Sequence, residues 1–471
     1  MFETLRTLFI SPTGDVRPIT SGYEVIGAEE DDPIERRKGD DERGVYWCFW
    51  ALGAGVLLSW NLLICTIPLL ASFFPPTSGV KTTLASWLAS AYCFGNLTFL
   101  GIAQRNVGII SPSIRLHSSL LLLLALCLLQ TFLLPLLLPH LAPTLLLPLL
   151  LLLTLFLSLS TAYLQASVFA LAALWGSPQV LAVMSGQGGI AVLVSVTQVI
   201  LAVISALPST GSDDGRIEGE QSTLAGVGLW ALGALGAIAF MIAHRRLVVH
   251  QDYSIILAPI FARQQYADLD GGISKDGGMG TMTRRIFRKN WMLEFAVAWV
   301  FVVTLSVFPP ITTAILSVHT PPPRLLQPAV FIPFHFFIFN VGDYLGRTCP
   351  SSFPSLIFAS RRRVLLLSLA RTLFIPLFLV CNVVPRPPAS PPLINSDLGY
   401  LSVLLAFGLT NGYISSLSMI LSSSPALNPA IAEEEKDIAG TLAAFCLVAG
   451  LAGGSVSSFG VNWLIRGNAF G

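Results

Sequence analysis

The sequence predicts an all-α integral membrane protein of eleven transmembrane helices, arranged six plus five. Three observations predict it. Of 471 residues, 54% are hydrophobic and only 11% charged, with a mean hydropathy of +0.73, whereas about a quarter of the residues of a soluble domain are charged. No Asp, Glu, Lys or Arg occurs from residue 116 to residue 212, which leaves room for three spans of about 20 residues each. A polar loop near 245–290 separates six apolar segments from five.

The first 45 residues are rich in Asp, Glu, Gly and Arg and lack the apolar core of a signal peptide, so they read as a cytoplasmic tail. Apolar segments follow near 46–72 and 84–104. Within the charge-free run, Pro139 and Pro143 separate a Leu-rich segment at 117–138 from the next, and Gly176-Ser177-Pro178 separates that one from a third at 179–207. A sixth lies near 223–243. After the loop, five more fall near 291–317, 325–348, 364–385, 398–423 and 438–465. The expected organisation is therefore a tail (1–45), an N-terminal bundle (46–244), a linker (245–290) containing Gly271-Gly272 and Gly277-Gly278, a C-terminal bundle (291–466) and an outer tail (467–471).

An odd number of spans puts the termini on opposite sides, and the positive-inside rule chooses the orientation. With the amino terminus inside, the outer connections and tail hold Lys81, Arg216, Arg324, Arg386 and Arg466, while the central loop alone holds Arg245, Arg246, Arg263, Lys275, Arg284, Arg285, Arg288 and Lys289. The amino terminus is expected in the cytoplasm, with Arg115 in a cytoplasmic connection. A net charge of +1 gives no electrostatic case for a nucleic-acid partner. The seven cysteines show no close C-x-x-C spacing and read as small buried hydrophobes. Nothing calls for a metal or a cofactor.

Polar residues inside apolar spans mark the candidate site, because an ionised group at the bilayer centre costs roughly 2.5–3.5 kcal/mol on insertion scales and is retained where it pairs or lines a path. Asp343 and Arg347 stand one helical turn apart, in the favourable order for an ion pair. Arg347, near the end of its span, could instead snorkel to the headgroups. Trp60 and Asn61 fall within the first span, where the indole either offers a surface to a planar ligand or faces lipid, and the amide suits either a ligand or helix-to-helix bonding. Gln165, in the fourth span, can donate and accept together, as the edge of a heterocyclic base requires, or can bond a neighbouring helix. Gly186, Gln187 and Gly188 read as a packing element with Gln187 in support, Phe308-Pro309-Pro310 as a helix end or bend, and Asn411-Gly412-Tyr413 as a further polar, small-residue element.

Together these segments resemble the equilibrative nucleoside transporter family. The matching elements are Ser59-Trp60-Asn61, Leu164-Gln165-Ala166-Ser167-Val168-Phe169, Met184-Ser185-Gly186-Gln187-Gly188, Phe308-Pro309, Phe339-Asn340-Val341-Gly342-Asp343-Tyr344-Leu345-Gly346-Arg347 and Asn411-Gly412-Tyr413, in that order over about 46–465. The resemblance implies a fold related to the major facilitator architecture, with nucleosides as substrates, nucleobases as a further cargo class, and the lipid bilayer as the surrounding partner. It also implies that Asp343 and Arg347 contact ribose hydroxyls, that Gln165 bonds the base, and that Trp60, Leu57 and Ile64 form apolar walls, with Asn61, Tyr92 and Phe336 as further binding candidates. Asn340 and Asn411 join Gly186, Gln187, Gly188, Phe308 and Pro309 as hinge or packing positions. Ser59 departs from the family's usual proline and Ala191 from its frequent glycine, so a kink in the first span and a close contact in the fifth are not implied here.

The expected activity is facilitated movement by alternating access, without covalent chemistry; no G-x-x-x-x-G-K-[ST] loop offers ATP binding. Asp343 with His335, two turns earlier, motivates proton coupling in an acidic organelle as an alternative. An intramembrane enzyme or a non-transporting receptor are the readings from other classes, and the sequence shows neither H-E-x-x-H nor paired intramembrane aspartates to favour the first. The plasma membrane and a vacuolar or lysosomal membrane both remain open.

Overall fold

The computed structural model describes residues 33–75, 78–105, 110–205, 215–258, 260–261, 275–309, 311–384 and 391–466. Most of the expected N-terminal tail, the Gly271-Gly272 part of the linker, Arg386 and the outer tail lie outside them. The described residues are mainly helical: α1 (Pro33–Ser72), α2 (Gly79–Arg105), α3 (Pro112–Leu136), α4 (Pro143–Trp175), α5 (Ser177–Ser205), α6 (Gly215–Val249), α7 (Lys275–Val307), α8 (Pro328–Ser352), α9 (Arg361–Ala370), α10 (Phe374–Leu379), α11 (Asp397–Ser423) and α12 (Lys436–Arg466), joined by loops and short 3₁₀ turns and by an isolated antiparallel bridge between Ile315 and Val383. Gly44–Gly471 pack as one compact unit.

Among the described residues, nine helices have the length and apolarity to cross a membrane. They are the counterparts of nine expected spans. The expected span at 84–104 lies inside α2, a 27-residue helix whose Ser90, Tyr92, Asn96 and Thr98 dilute its apolar character. The expected span at 364–385 is broken into α9, a 3₁₀ turn at Arg371–Leu373, and α10. The reason is local: Pro376 has no N–H to offer the carbonyl one turn back, and the ladder tightens just before it. Helices also reach beyond the expected edges, with α1 beginning at Pro33 and α7 at Lys275, so the linker between α6 and α7 is shorter than 245–290.

The turns follow the residues that marked them. Pro143 occupies a first-turn position of α4, where a missing N–H costs nothing, and Pro112, which the sequence reading did not single out, does the same in α3. Gly176 ends α4 with φ 134°, a conformation that side chains other than glycine's rarely adopt. Helix α7 stops at Val307, directly before Phe308-Pro309. The Ser396 hydroxyl accepts from the Gly399 N–H and starts α11.

Packing is closest where side chains are smallest. On α8 and α11, glycines four apart (342 and 346; 408 and 412) face each other, and a Cβ on Gly346 or Gly412 would overlap the carbonyl oxygen of Leu409 or Asp343, respectively. The two backbones therefore touch directly. Around this seam lies a cluster of buried aromatic and branched residues, including Val303, Val307, Phe308, Phe331, Phe339, Phe378 and Phe407.

Candidate functional site

Asp343 and Arg347 sit on the face of α8 turned toward α11 and α5, 5% and 4% exposed. Arg347 Nε donates to Asp343 Oδ2 at 2.6 Å. The second carboxylate oxygen accepts the Asn411 side-chain N–H, also at 2.6 Å, so both oxygens are held by charge-assisted or amide donors. Arg347 then extends to α5, where its Nη1 lies 3.1 Å from Gln187 Oε1 and 3.3 Å from the Met184 carbonyl oxygen. Arg347 is thus a buried partner of three groups, and the snorkelling alternative does not describe it.

The network continues through a residue the sequence reading did not single out. Arg371, in the 3₁₀ turn between α9 and α10, is 2% exposed. It donates to the Phe407 carbonyl at 2.9 Å, to the Thr304 hydroxyl at 3.0 Å, to the Thr410 hydroxyl and to Asn411 Oδ1 at 3.4 Å, with its guanidinium 4.5 Å from the centre of the Phe407 ring. The Thr304 hydroxyl also donates to Asn411 Oδ1 at 2.7 Å. Asn411 therefore links an arginine on one side to an aspartate on the other. The available signal was an arginine inside an otherwise apolar expected span.

In the amino-terminal helices a second cluster forms. Ser59, Tyr92 and Thr161, from α1, α2 and α4, bring their hydroxyls together at 2.6–2.9 Å. The Trp60 ring packs against Tyr92 with centroids 4.9 Å apart. One turn along α4 from Thr161, the buried Gln165 side chain makes no hydrogen bond with the described residues. Helix α1 runs unbroken through Ser59. Asn61 turns its amide back to the Leu57 carbonyl at 2.8 Å. Leu57 is half-buried and Ile64 exposed. Phe336 packs edge-on against Phe308, whose other neighbour Phe339 stacks at 4.3 Å.

The packing positions bring α5 against its neighbours. A Cβ on Gly186 would overlap the Trp50 carbonyl oxygen of α1, and one on Gly188 would lie 3.1 Å from the Arg347 side chain. Asn340 donates to the Ala191 carbonyl at 3.3 Å, so that position contacts α8 through its backbone. His335 is buried between the Phe331 and Tyr400 rings, with Nδ1 3.2 Å from the Thr312 carbonyl oxygen. No hydrogen bond or ring contact among the described residues joins Trp60, Tyr92 or Gln165 to Asp343 and Arg347.

Two further expectations meet the structure here. Arg115 is not in an exposed connection: it lies in α3, 2% exposed, donating to the Ala103 carbonyl at 3.3 Å. The loop shortens because Pro112 already starts the helix. No disulfide links the cysteines, of which Cys48, Cys127, Cys381 and Cys446 are buried. Among the described residues, no three His, Cys, Asp or Glu side chains cluster as metal ligands would.

The fold resembles that of solved major facilitator transporters. The Escherichia coli fucose:proton symporter FucP superposes with a TM-score of 0.55 at 13% sequence identity, over 90% of this chain and 93% of that one. By sequence, the chain is similar to the equilibrative nucleoside transporters. The sequence profile described as Nucleoside transporter matches residues 274–463. Human equilibrative nucleoside transporter 2 is 38% identical over 37% of this chain and 36% of its own length, and the rat equilibrative nucleoside transporter 1 is 30% identical over 63% and 65%. The chain thus spans little more than a third of the length of the first of these relatives.

Proposed function

We propose that the protein carries nucleosides across a membrane by facilitated alternating access, with nucleobases as a second cargo class, between an N-terminal bundle (46–244) and a C-terminal bundle (291–466). The observation that carries this reading is the buried run Gln187–Arg347–Asp343–Asn411, which ties α5 to α8 and α11 through the residues of the family motif. A carboxylate and a guanidinium side by side suit vicinal hydroxyls, the first accepting and the second donating. On the amino-terminal side, Trp60 offers an aromatic face and Gln165 an amide that makes no hydrogen bond among the described residues, the two requirements of a planar heterocycle with a polar edge. Both groups of residues would engage one substrate, the sugar on α8 and the base on α1 and α4.

The direct test is uptake of labelled uridine and adenosine into proteoliposomes holding the purified chain. Saturable flux that stops when internal and external concentrations match is expected. Absence of saturable flux with either compound, in protein shown to be folded, overturns the substrate assignment.

A further inference from the structure

Outside the buried network, the strongest concentration of charge lies where α7 begins. A cavity of about 460 Å³ is lined by Thr281, Arg284, Arg285, Arg288 and Lys289. The start of α9 is fastened beside it, because Arg361 Nη1 donates to the Lys289 carbonyl at 2.9 Å, and Arg362 and Arg363 follow directly. Four cations thus line the cavity, and three more begin the helix fastened beside it. Two of the lining cations are paired: Glu435, itself almost wholly buried, takes Arg285 at 2.7 Å and Lys289 at 2.9 Å. Glu433 is engaged with Lys436. Arg284, Arg288, Arg362 and Arg363 are left exposed, with no ion pair or hydrogen bond among the described residues.

Such an excess of unpaired guanidinium groups attracts an anion, and the helix itself indicates which kind. Positions 284, 288, 291 and 295 fall on one stripe of α7, occupied by Arg284, Arg288, Trp291 and Phe295, and the latter two are exposed, as is Phe287 beside them. From Arg284 to Phe295 is about 16 Å at 1.5 Å per residue. Exposed Trp settles at the boundary between headgroups and acyl chains. That sets Arg288 and Arg284 at headgroup depth and Phe295 among the chains. The stripe therefore offers apolar surface continuous with cationic surface, in the order in which a phospholipid presents its own parts. A soluble phosphate compound would use only the cationic end.

We infer that the basic cavity at the start of α7 binds an anionic phospholipid, its phosphorylated headgroup on Arg284 and Arg288 and its acyl chain along Trp291 and Phe295. Guanidinium groups suit this ligand because they bond phosphate oxygens in pairs and stay charged, and basic cavities beside membrane helices favour multiply charged headgroups. Arg285 and Lys289 line the same cavity but are committed to Glu435, so they complete the local field and leave recognition to the unpaired pair. The inference is independent of what the protein transports.

The test is binding of a short-chain phosphoinositide bisphosphate to the full-length detergent-purified chain, by native mass spectrometry and by titration. The comparison ligands are short-chain phosphatidylcholine and the free headgroup, inositol trisphosphate. Saturable binding of the phosphoinositide is expected, with the zwitterionic lipid and the free headgroup both much weaker. Arg284→Gln/Arg288→Gln should weaken it about thirtyfold, about fivefold for each cation removed near the surface, and each single substitution should show its share should the double variant fold poorly. Trp291→Ala should weaken the lipid while leaving inositol trisphosphate unchanged. Arg245→Gln/Arg246→Gln, which removes two exposed cations from the end of α6, should leave binding intact. Equal binding by the Arg284/Arg288 variant and the unsubstituted chain, equal affinity for lipid and free headgroup, or an equal loss in the α6 variant would each overturn the assignment.

Discussion

Asn411 donates to the Asp343 carboxylate across the α8–α11 seam at 2.6 Å while its own carbonyl oxygen receives the Thr304 hydroxyl at 2.7 Å. One amide thereby fixes the orientation of the carboxylate and is itself fixed by α7. A carboxylate oriented in this way is preorganised for hydroxyl groups, with no rearrangement of its own needed on binding.

Asn411→Leu keeps the volume of the side chain and removes both bonds. Asp343 Oδ1 and Thr304 then lose a partner in the interior, and the detergent-solubilised protein should lose about 1–3 kcal/mol of stability, with weaker uridine binding. Thermal unfolding read by intrinsic fluorescence, beside equilibrium binding of uridine, checks both. An unchanged melting temperature would mean that the amide bonds contribute nothing.

Arg371 and Asn411 should be energetically coupled. A double-mutant cycle with Arg371→Leu and Asn411→Leu is expected to give an interaction of about 0.5–3 kcal/mol, the range for residues within one hydrogen-bond network. Arg371→Lys should not rescue, since a single ammonium cannot span Phe407, Thr410 and Thr304 as the planar fork does. Additive losses would show that the two residues act separately.

Asp343→Ala and Gln165→Ala should both lower nucleoside uptake, and stability should distinguish them. Removing Asp343 leaves Arg347 buried without its carboxylate, a loss of about 3–5 kcal/mol. Gln165 has no hydrogen bond to lose among the described residues, so its variant should lose far less stability than Asp343→Ala. If Gln165→Ala transported at the unsubstituted rate, the amide would be no part of the site.

Arg115→Ala should be destabilising. Its guanidinium is buried in α3 and bonded to the Ala103 carbonyl, so truncation removes packing as well as a charge-assisted bond, worth about 1.5–3 kcal/mol. The check is melting temperature beside that of Arg245→Ala, which sits exposed at the end of α6. Equal temperatures would mean that the burial of Arg115 carries no stability.

Much of the fold is legible in the sequence because a bilayer demands long apolar segments and because Pro143 and Gly176 mark helix ends by their own backbone chemistry. The pairing of Asp343 with Arg347 is legible for a related reason, since two charges one turn apart in an apolar span have few alternatives. What escapes is whatever depends on a distant neighbour. Arg371 looks like an interruption of an apolar segment until Thr304, Phe407 and Thr410 are brought around it from α7 and α11. Arg115 reads as a loop residue because its sequence neighbours are polar, and its burial is decided by α2. The face-to-face glycines of α8 and α11 lie more than sixty residues apart, and spacing within either helix cannot reveal that they meet.

The glycine seam has a mechanical meaning. Where two backbones touch with no side chain between them, neither helix can slide or roll without carbonyl oxygens colliding, so α8 and α11 behave as a single stiff beam. The junction of α8 with α5 is of another kind, made by the long side chain of Arg347 reaching Gln187 and Met184 and by the Asn340 amide. Rotatable bonds give there as the seam cannot. Any shape change in this molecule should therefore leave the Asp343–Asn411 bond intact and spend its motion on the bonds between Arg347 and α5, which makes a longer Arg347–Gln187 distance the natural marker of a second state.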